Sequence, residues 1–288
     1  MLFLSAFGDD SADAKNERSF ALACVIAPEP IWRALEGEWL DRTGGIPFHA
    51  TDCDSNQGDY RDRPNLETKA LYKDLSIMLE KSGAFGWGAG VDLAGHREFF
   101  PDVKEELSYH FCLIRIIDFF SAFASRHQAK EVKFSFDNRI DVKFNAAYLY
   151  SLMYNDPTQP HRERLCDEMS FLCSRKNPRI QIGDLYVREV MKVLENEAAG
   201  NPRPVRKSMA GLMGTTRFGA DCYMREYFED KKRRAKEIEE KAGFNQQVYI
   251  DWLQKHNLID NVSNMFRFLT HMDAEDRKSP NGKTKRSV

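Results

Sequence analysis

Residues 2–11 have the sequence LFLSAFGDDS, a short apolar run followed directly by a glycine and two aspartates. The apolar residues 2–7 predict a buried strand, and Gly8 to Ser11 have the composition of a turn. Asp9 and Asp10 are therefore expected where the first strand ends. Aspartate is also common after strands because it starts turns and caps helices, so this position alone does not define a site.

Apolar patterns beyond this stretch predict an alternation of strands and helices. Further strands are expected at residues 19–27, 84–92, 131–136 and 167–173. Helices are expected after Pro30 and at residues 66–82, 104–127, 142–155 and 180–196. The glycine-rich strand 84–92 is suited to a close approach by another backbone. Three opening strands followed by alternating elements match the ribonuclease H-like order, which predicts an α/β fold with a mixed five-stranded sheet flanked by helices.

The domain organisation follows from changes in composition. Residues 1–200 are predicted to form the ribonuclease H-like domain, with residues 28–83 as an insertion after the second strand. Residues 201–277 are predicted to be a helical extension, with a charged helix at 219–242 and an apolar helix or helix pair at 245–272. The polar, basic residues 278–288 are expected to be a disordered tail.

Composition limits the possible function classes. The 288 residues carry a formal net charge of only −2, so any nucleic-acid site must be a local patch. No apolar run approaches the roughly 20 residues of a membrane span, and the apolar N-terminal stretch is too short for a signal sequence. A cytoplasmic protein that does not enter a membrane is expected. The six cysteines form no C-x-x-C pair, which argues against a zinc ribbon and favours free thiols.

Three aspartates have the placement that metal chemistry needs. Asp9 follows the first strand, Asp137 follows the strand 131–136, and Asp184 lies one turn into the last core helix beside Gly183. Carboxylate oxygens are preferred ligands of hard divalent cations, and neighbouring strand ends can bring them together. Each signal has an ordinary alternative: Asp137 can cap the following helix, and Asp184 can pair with Arg188 four residues later.

A fourth element is the segment Phe48-His49-Ala50-Thr51-Asp52. His49 and Asp52 are three residues apart, so they can serve the edge of a metal site or a proton transfer. A hydrogen-bonded loop explains the segment equally well.

These motifs resemble those of the domain-of-unknown-function-3800 family. Residues 7–13, FGDDSAD, resemble that family's "Y-I-D-E-S-G-D" opening, and residues 48–51 are similar to its hydrophobic-H-A-[ST] segment. Residues 134–137 resemble its central strand with a terminal aspartate, and residues 180–185, IQIGDL, its late "L-Q-L-A-D-L" helix. The resemblance covers roughly residues 2 to 197. Asp10 stands in place of the family's glutamate, Ala12 in place of a glycine, Gly8 in place of an aliphatic residue and Gly183 in place of an alanine.

The resemblance implies a ribonuclease H-like, metal-dependent nuclease. Asp9, Asp137 and Asp184 would bind Mg²⁺ or Mn²⁺, with Asp10 as a further ligand. His49 would lie nearby as a catalytic group, and Gln181 would orient the site. The shorter Asp10 and the altered turn at Ala12 bear on whether such a site is active.

Three readings of the chain follow from the sequence. The first is a nuclease that cuts nucleic acid, with residues 231–234, Arg203, Arg206 and Lys207 as possible backbone contacts, although Glu237, Glu239 and Glu240 favour an ordinary solvated helix there. The second is a catalytically inactive binding or scaffold protein. The third is homo-oligomerisation through the C-terminal helices, against which packing inside the chain is favoured. The apolar residues concerned are Tyr249, Trp252, Leu253, Leu258, Ile259, Phe266 and Leu269.

Overall fold

The computed structural model describes residues 1–13, 15, 17–101, 106–200, 203–242 and 245–256. In this part of the chain, six strands form one sheet. They are β1 (Phe3–Ala12), β2 (Ser19–Ala27), β3 (Phe85–Asp92), β4 (Glu131–Asp137), β5 (Ser170–Leu172) and β6 (Phe218–Tyr223).

Ten α-helices are described together with three short 3₁₀ turns. The helices are α1 (Glu29–Thr43), α2 (Ala50–Ser55), α3 (Asn65–Lys81), α4 (Leu93–Phe99), α5 (Glu106–Arg126), α6 (Lys143–Asn155), α7 (Pro178–Ala198), α8 (Lys207–Gly214), α9 (Arg225–Ala242) and α10 (Gln246–His256). The 3₁₀ turns are Gly58–Tyr60, Arg162–Arg164 and Ser174–Lys176.

The strand order in the sheet is β5-β4-β1-β2-β3-β6. β1, β2 and β3 are antiparallel neighbours, whereas β4 is parallel to β1, β5 to β4, and β6 to β3. The chain is therefore an α/β protein with a mixed sheet flanked by helices, as the sequence predicts. The sheet has six strands in the described residues, one more than the five predicted.

The additional strand comes from the segment that was expected to be entirely helical. Residues 218–223 pair in parallel with residues 86–91 of β3, and the charged helix begins only at Arg225. The prediction of a helix from residue 219 was wrong because local composition does not register the free hydrogen-bonding edge that β3 offers. The C-terminal part thus contributes to the same sheet as residues 3–172.

The first strand also differs from the prediction. Residues 8–11 do not form a turn, because β1 continues to Ala12 and pairs residue by residue with β2. β2 is buried along its whole length. Backbone pairing with this buried strand satisfies the amides and carbonyls of the Gly-Asp-Asp-Ser segment, and it outweighs the segment's local preference for a turn.

The sheet separates two apolar layers. On one face, α5 packs with side chains such as Leu4, Ala6 and Phe136; on the other, α7 packs with Phe7, Ala23 and the helices α1, α3 and α8. β1 therefore alternates in the normal way, with even-numbered residues toward α5 and odd-numbered residues toward α7.

Glycines let α7 lie very close to the sheet. A Cβ on Gly183 would stand 3.1 Å from the Gly8 Cα and from the Phe7 carbonyl oxygen. Gly86, Gly88 and Gly90 of β3 lie under side chains of α7, where an added Cβ would meet Tyr186, Val190 and Leu194. The glycine-rich strand is thus approached closely by side chains, whereas the close approach of two backbones is that of Gly183 to β1.

The apolar residues predicted in the C-terminal helices fall partly within the described part of the chain. Tyr249 and Leu253 of α10 are buried. Residues 257–288, including Leu258, Ile259, Phe266, Leu269 and the expected tail, lie outside the described residues, as do Asn201 and Pro202. Among the described helices, none has the length and apolar character that crossing a membrane requires.

We expect the close packing at Gly8 to be sensitive to a single methyl group. A Cβ there would stand 2.3 Å from Cys24 Sγ and 2.7 Å from the Ala23 carbonyl oxygen. Gly8→Ala should therefore lower the free energy of unfolding by about 1–3 kcal/mol in urea titrations followed by circular dichroism.

Gly37→Ala is the matched control, because nothing lies within 4 Å of a Cβ at that position in α1. This control should raise stability by about 0.5–1 kcal/mol, since alanine loses less entropy than glycine in a helix. Equal stability of the two variants would contradict the packing described for β1.

Candidate carboxylate site

Three aspartates from different elements meet at the α7 side of the sheet. The β1–β4 register pairs Gly8 with Phe136, so Asp9 and Asp137 are the next residues on two neighbouring strands. Both lie opposite the α5 face, because Phe134 and Phe136 point toward α5. Asp184 reaches the same region from α7, beside the contact of Gly183 with β1. The structure therefore brings Asp9, Asp137 and Asp184 together.

Asp9 is in the least favourable electrostatic position of the three. Burial raises the pKa of Asp9 well above its usual value, and the nearby carboxylates of Asp184, Asp10 and Asp137 raise it further. The Asp10 backbone N–H donates a hydrogen bond to Asp9 Oδ1 at 2.7 Å and acts in the opposite direction. The negative charge of the ionised cluster is thus only partly compensated by the protein.

Asp184 is held by the start of α2. The Ala50 backbone N–H donates a hydrogen bond to Asp184 Oδ2 at 2.8 Å. Burial raises the pKa of Asp184 to about 6, although His49, this N–H and Arg188 favour the charged form. The Phe48-His49-Ala50 segment therefore contributes a backbone donor to the site, which the sequence did not indicate.

Gln181 connects the segments around the site. Its Oε1 accepts hydrogen bonds from the Phe48 backbone N–H at 3.1 Å and from Trp39 Nε1 at 3.2 Å, and its Nε2 donates to the Ser174 carbonyl at 2.8 Å. The Ser174 backbone N–H in turn donates to Asp137 Oδ1 at 2.9 Å. One buried amide thus positions both the loop that holds Asp184 and the loop that holds Asp137.

Asp10 has a different environment from the other carboxylates. Strand alternation directs it toward the α5 face, and Arg139 Nη1 donates a hydrogen bond to Asp10 Oδ2 at 2.7 Å. Arg139 also pairs with Asp141. Burial raises the pKa of Asp10, while the Arg139 guanidinium opposes that rise. Asp10 already has a cationic partner, which distinguishes it from Asp9.

His49 lies at the rim as the residue that precedes α2. Its Nδ1 is 3.1 Å from Asp52 Oδ2, and 58% of its side chain is exposed. Asp52 itself is fixed against Gly58, whose φ of +52° and lack of a side chain leave room for the carboxylate. The predicted His49–Asp52 pair is present, and it lies near enough to Asp184 to influence its pKa.

The donor set has the chemistry of a hard-cation site, since it consists of carboxylates that repel one another. In the described part of the chain, however, no group of three or more His, Cys, Asp or Glu side chains is arranged so that it could hold a metal ion. The residues therefore fit a divalent cation by donor type, and the side chains would have to close around it.

The structure bears on two other contacts that were considered from the sequence. Arg188 pairs with Asp54 at 3.2 Å, and its charge acts on Asp184 only through space. In α9, Arg233 and Arg234 pair with acids of the same helix, Asp230 and Glu237. This internal pairing favours a solvated helix of mixed charge for residues 231–234.

Sequence reasoning missed Arg139 and the backbone donors of Ala50 and Ser174. The spacing of Arg139 and Asp141 was visible, but nothing local in the sequence connects Arg139 with Asp10, which lies 129 residues earlier. Backbone donors carry no side-chain signal, so only the fold reveals them.

Asp184 gives a testable dependence of stability on pH. Because its pKa of about 6 in the folded protein exceeds the unfolded value of about 4, the folded state loses stability as pH rises between these values. In chelator-treated protein, Asp184→Asn should gain stability over the wild type as pH rises from about 4 to about 7.5, by about 1–3 kcal/mol in urea unfolding.

The exposed Asp41 of α1 supplies the control, and Asp41→Asn should track the wild type across this pH range. A constant difference between Asp184→Asn and the wild type at all pH values would show that Asp184 does not titrate in this way.

Comparisons of the chain with family models, with curated proteins and with solved structures found no match.

Proposed function

We propose that this protein is a divalent-metal-dependent hydrolase of phosphodiester bonds in nucleic acid, with a ribonuclease H-like fold. The observation that carries the proposal is the meeting of Asp9, Asp137 and Asp184 from two strands and a helix, where burial and mutual repulsion raise the pKa of Asp9. Such an arrangement costs folding free energy, and a bound cation would offset that cost.

The topology supports the fold assignment. Three antiparallel strands, β1 to β3, are followed by β4 and β5, which add in parallel beside β1. The order of strands and helices along the chain supports the ribonuclease H-like fold expected from the sequence, and Asp9 and Asp137 lie on its central strands β1 and β4. The motif resemblance to the domain-of-unknown-function-3800 family points to the same chemistry.

Asp9, Asp137 and Asp184 are the residues that would hold Mg²⁺ or Mn²⁺. When bound, such a cation stabilises charge on the phosphoryl oxygens and lowers the pKa of an attacking water. The Ala50 and Ser174 N–H groups orient Asp184 and Asp137, each through one carboxylate oxygen, which leaves the other oxygen for binding. Asp10 stays with Arg139, and we therefore assign it a supporting role.

His49 is positioned to move a proton. Its Nδ1 contact with Asp52 favours the tautomer that carries the proton on Nδ1, which leaves Nε2 as an acceptor. Since the side chain is largely exposed beside the carboxylates, Nε2 can take a proton from water or return one to a leaving oxygen.

A catalytically inactive binding or scaffold protein is the second candidate. Two observations favour it: Asp10 is neutralised by Arg139, and the described side chains do not already enclose a metal position. Metal affinity distinguishes the candidates, because a site that has lost its chemistry should bind Mn²⁺ poorly.

We expect Mn²⁺ to bind the wild type in calorimetry and to support cleavage of DNA, RNA or hybrid oligonucleotides. Asp9→Asn combined with Asp137→Asn should abolish Mn²⁺ binding and lower the cleavage rate at least about 100-fold, because two of three ligands are lost. His49→Gln should keep Mn²⁺ binding and lower the rate about 100-fold, as expected for lost proton transfer.

Asp10→Asn is the control at the adjacent position, and it should retain Mn²⁺ binding. Each variant is first checked for native circular dichroism and thermal unfolding. If the wild type neither binds Mn²⁺ nor cleaves any substrate, the proposed nuclease function is wrong, and the second candidate, an inactive binding or scaffold protein, is favoured.

A further inference from the structure

A second polar region lies one helical turn along α7 from the carboxylates. Here α2, α3 and the start of α8 enclose a cavity of about 590 Å³. Its lining includes the side chains of Asp54, Tyr72, Ser76 and Ser208, together with four cationic residues. The cationic residues are Lys69, Lys73, Arg206 and Lys207.

The lysines of this cavity are not neutralised by the protein. Lys69, Lys73 and Lys207 are exposed, and none of them forms an ion pair with another described residue. This contrasts with α9, where Arg233 and Arg234 pair with acids of their own helix. Three cations that line one concave surface create a positive potential in a chain whose net charge is −2.

The two acids of the cavity wall do not cancel this potential. Asp54 is already paired with Arg206 at 2.9 Å and with Arg188 at 3.2 Å. Although burial would raise it, the pKa of Asp54 is lowered by these two guanidiniums. Glu80 is the other acid of the lining, which makes two carboxylates against four cationic side chains. The wall therefore retains an excess of positive charge.

The floor of the cavity is rigid. Tyr72 Oη and Ser208 Oγ both donate hydrogen bonds to the buried Glu189 carboxylate, at 2.6 Å each. Glu189 has no exposed surface, and Arg206 stacks over the Tyr72 ring at 5.2 Å from its centroid. The floor between the cationic side chains is therefore already ordered, and ligand binding would not need to rearrange it.

The first turn of α8 adds a further attraction for anions. Arg206, Lys207 and Ser208 at its start all line the cavity, and Arg206, as N-cap, makes no side-chain hydrogen bond to the turn. A helix N-terminus carries partial positive charge and free N–H groups, which favour anionic groups nearby.

We propose that this cavity binds phosphate groups. The ligand class is a phosphate-bearing anion, either a free nucleotide or the backbone of a nucleic-acid strand. Arg188 connects the two regions: it lies one turn, about 6 Å of helix rise, after Asp184 and pairs with Asp54 at the cavity. A strand bound at the lysines would therefore extend toward the carboxylates, whereas phosphate binding itself does not require those carboxylates to be catalytic.

The test measures binding without turnover, in chelator-treated full-length protein at low salt. Isothermal calorimetry with inorganic tripolyphosphate compares the wild type with the triple variant Lys69→Gln, Lys73→Gln, Lys207→Gln. We expect Kd to rise at least about 10-fold in the triple variant, because three cation–phosphate contacts are removed. The triple variant Lys81→Gln, Lys133→Gln, Lys255→Gln makes the same charge change at exposed positions outside the cavity and should leave Kd unchanged.

A single-stranded oligonucleotide identifies the source of the phosphate. If the strand is the ligand, the cavity variant should weaken its binding and reduce the salt slope, log Kd against log salt, by about 2. If oligonucleotide binding is unchanged while tripolyphosphate binding is lost, the ligand is a free nucleotide. No tripolyphosphate binding by the wild type, or equal loss in both triple variants, would overturn the proposal.

The proposed nuclease function and this inference fail in different ways. Asp9→Asn combined with Asp137→Asn should keep the tripolyphosphate affinity of the wild type. If the wild type binds phosphate but neither binds Mn²⁺ nor cleaves nucleic acid, the proposed nuclease function is wrong and the proposed phosphate site stands.

Discussion

The close contact between α7 and β1 is the constraint on which the site depends. Gly183 has no side chain, so the α7 backbone rests about one van der Waals contact from the β1 backbone at Phe7 and Gly8. This proximity carries Asp184 to the region of Asp9 in β1 and of Asp137 at the end of the neighbouring strand β4. The glycines of β3 extend the contact along the helix, so that α7 lies flat on the sheet instead of being lifted by side chains. A larger residue in place of Gly183 would move α7 away from β1. It would therefore separate Asp184 from Asp9 and Asp137 as well as disturb the core.

This packing places several aspartate carboxylates close together. The surrounding residues reduce the resulting electrostatic repulsion in different ways. Asp184 and Asp137 each accept a backbone N–H from a loop that Gln181 holds in place, whereas Asp10 has the Arg139 guanidinium. Asp9 also accepts one backbone N–H, from Asp10, but burial and the carboxylates of three neighbouring aspartates raise its pKa. Proteins commonly retain such unfavourable groups where ligand binding or chemistry requires them. The uneven distribution of compensation therefore indicates where an added cation would act.

The sequence predicted the elements of this fold much better than their connections. Apolar runs and hydrophobic periodicity located β2, β3, β4 and the helices α3, α5, α6 and α7 within a few residues, because each of these elements packs into the apolar layers beside the sheet. It failed at β6 and at the end of β1, where pairing with a distant strand decides the conformation and the local residues favour something else. For the site, the three aspartates and His49 could be named from strand ends and spacing. Arg139, the Ala50 amide and the grouping of Lys69 and Lys73 with Lys207 could not, because the residues that they meet are more than 100 residues away in the chain.

The carboxylates and the cationic cavity are held by the same two helices, α2 and α7. α2 gives the Ala50 N–H to Asp184 at its start and Asp54 to the cavity near its end. α7 gives Asp184 to the carboxylates and, one turn later, Arg188 to Asp54. The Arg188–Asp54–Arg206 ion pairs and the hydrogen bonds of Tyr72 and Ser208 to the buried Glu189 connect α7 with the cavity wall. Such a fixed arrangement of opposite charges suits an extended anionic ligand. One part of it would contact the lysines, and another part would reach a metal ion held by the carboxylates.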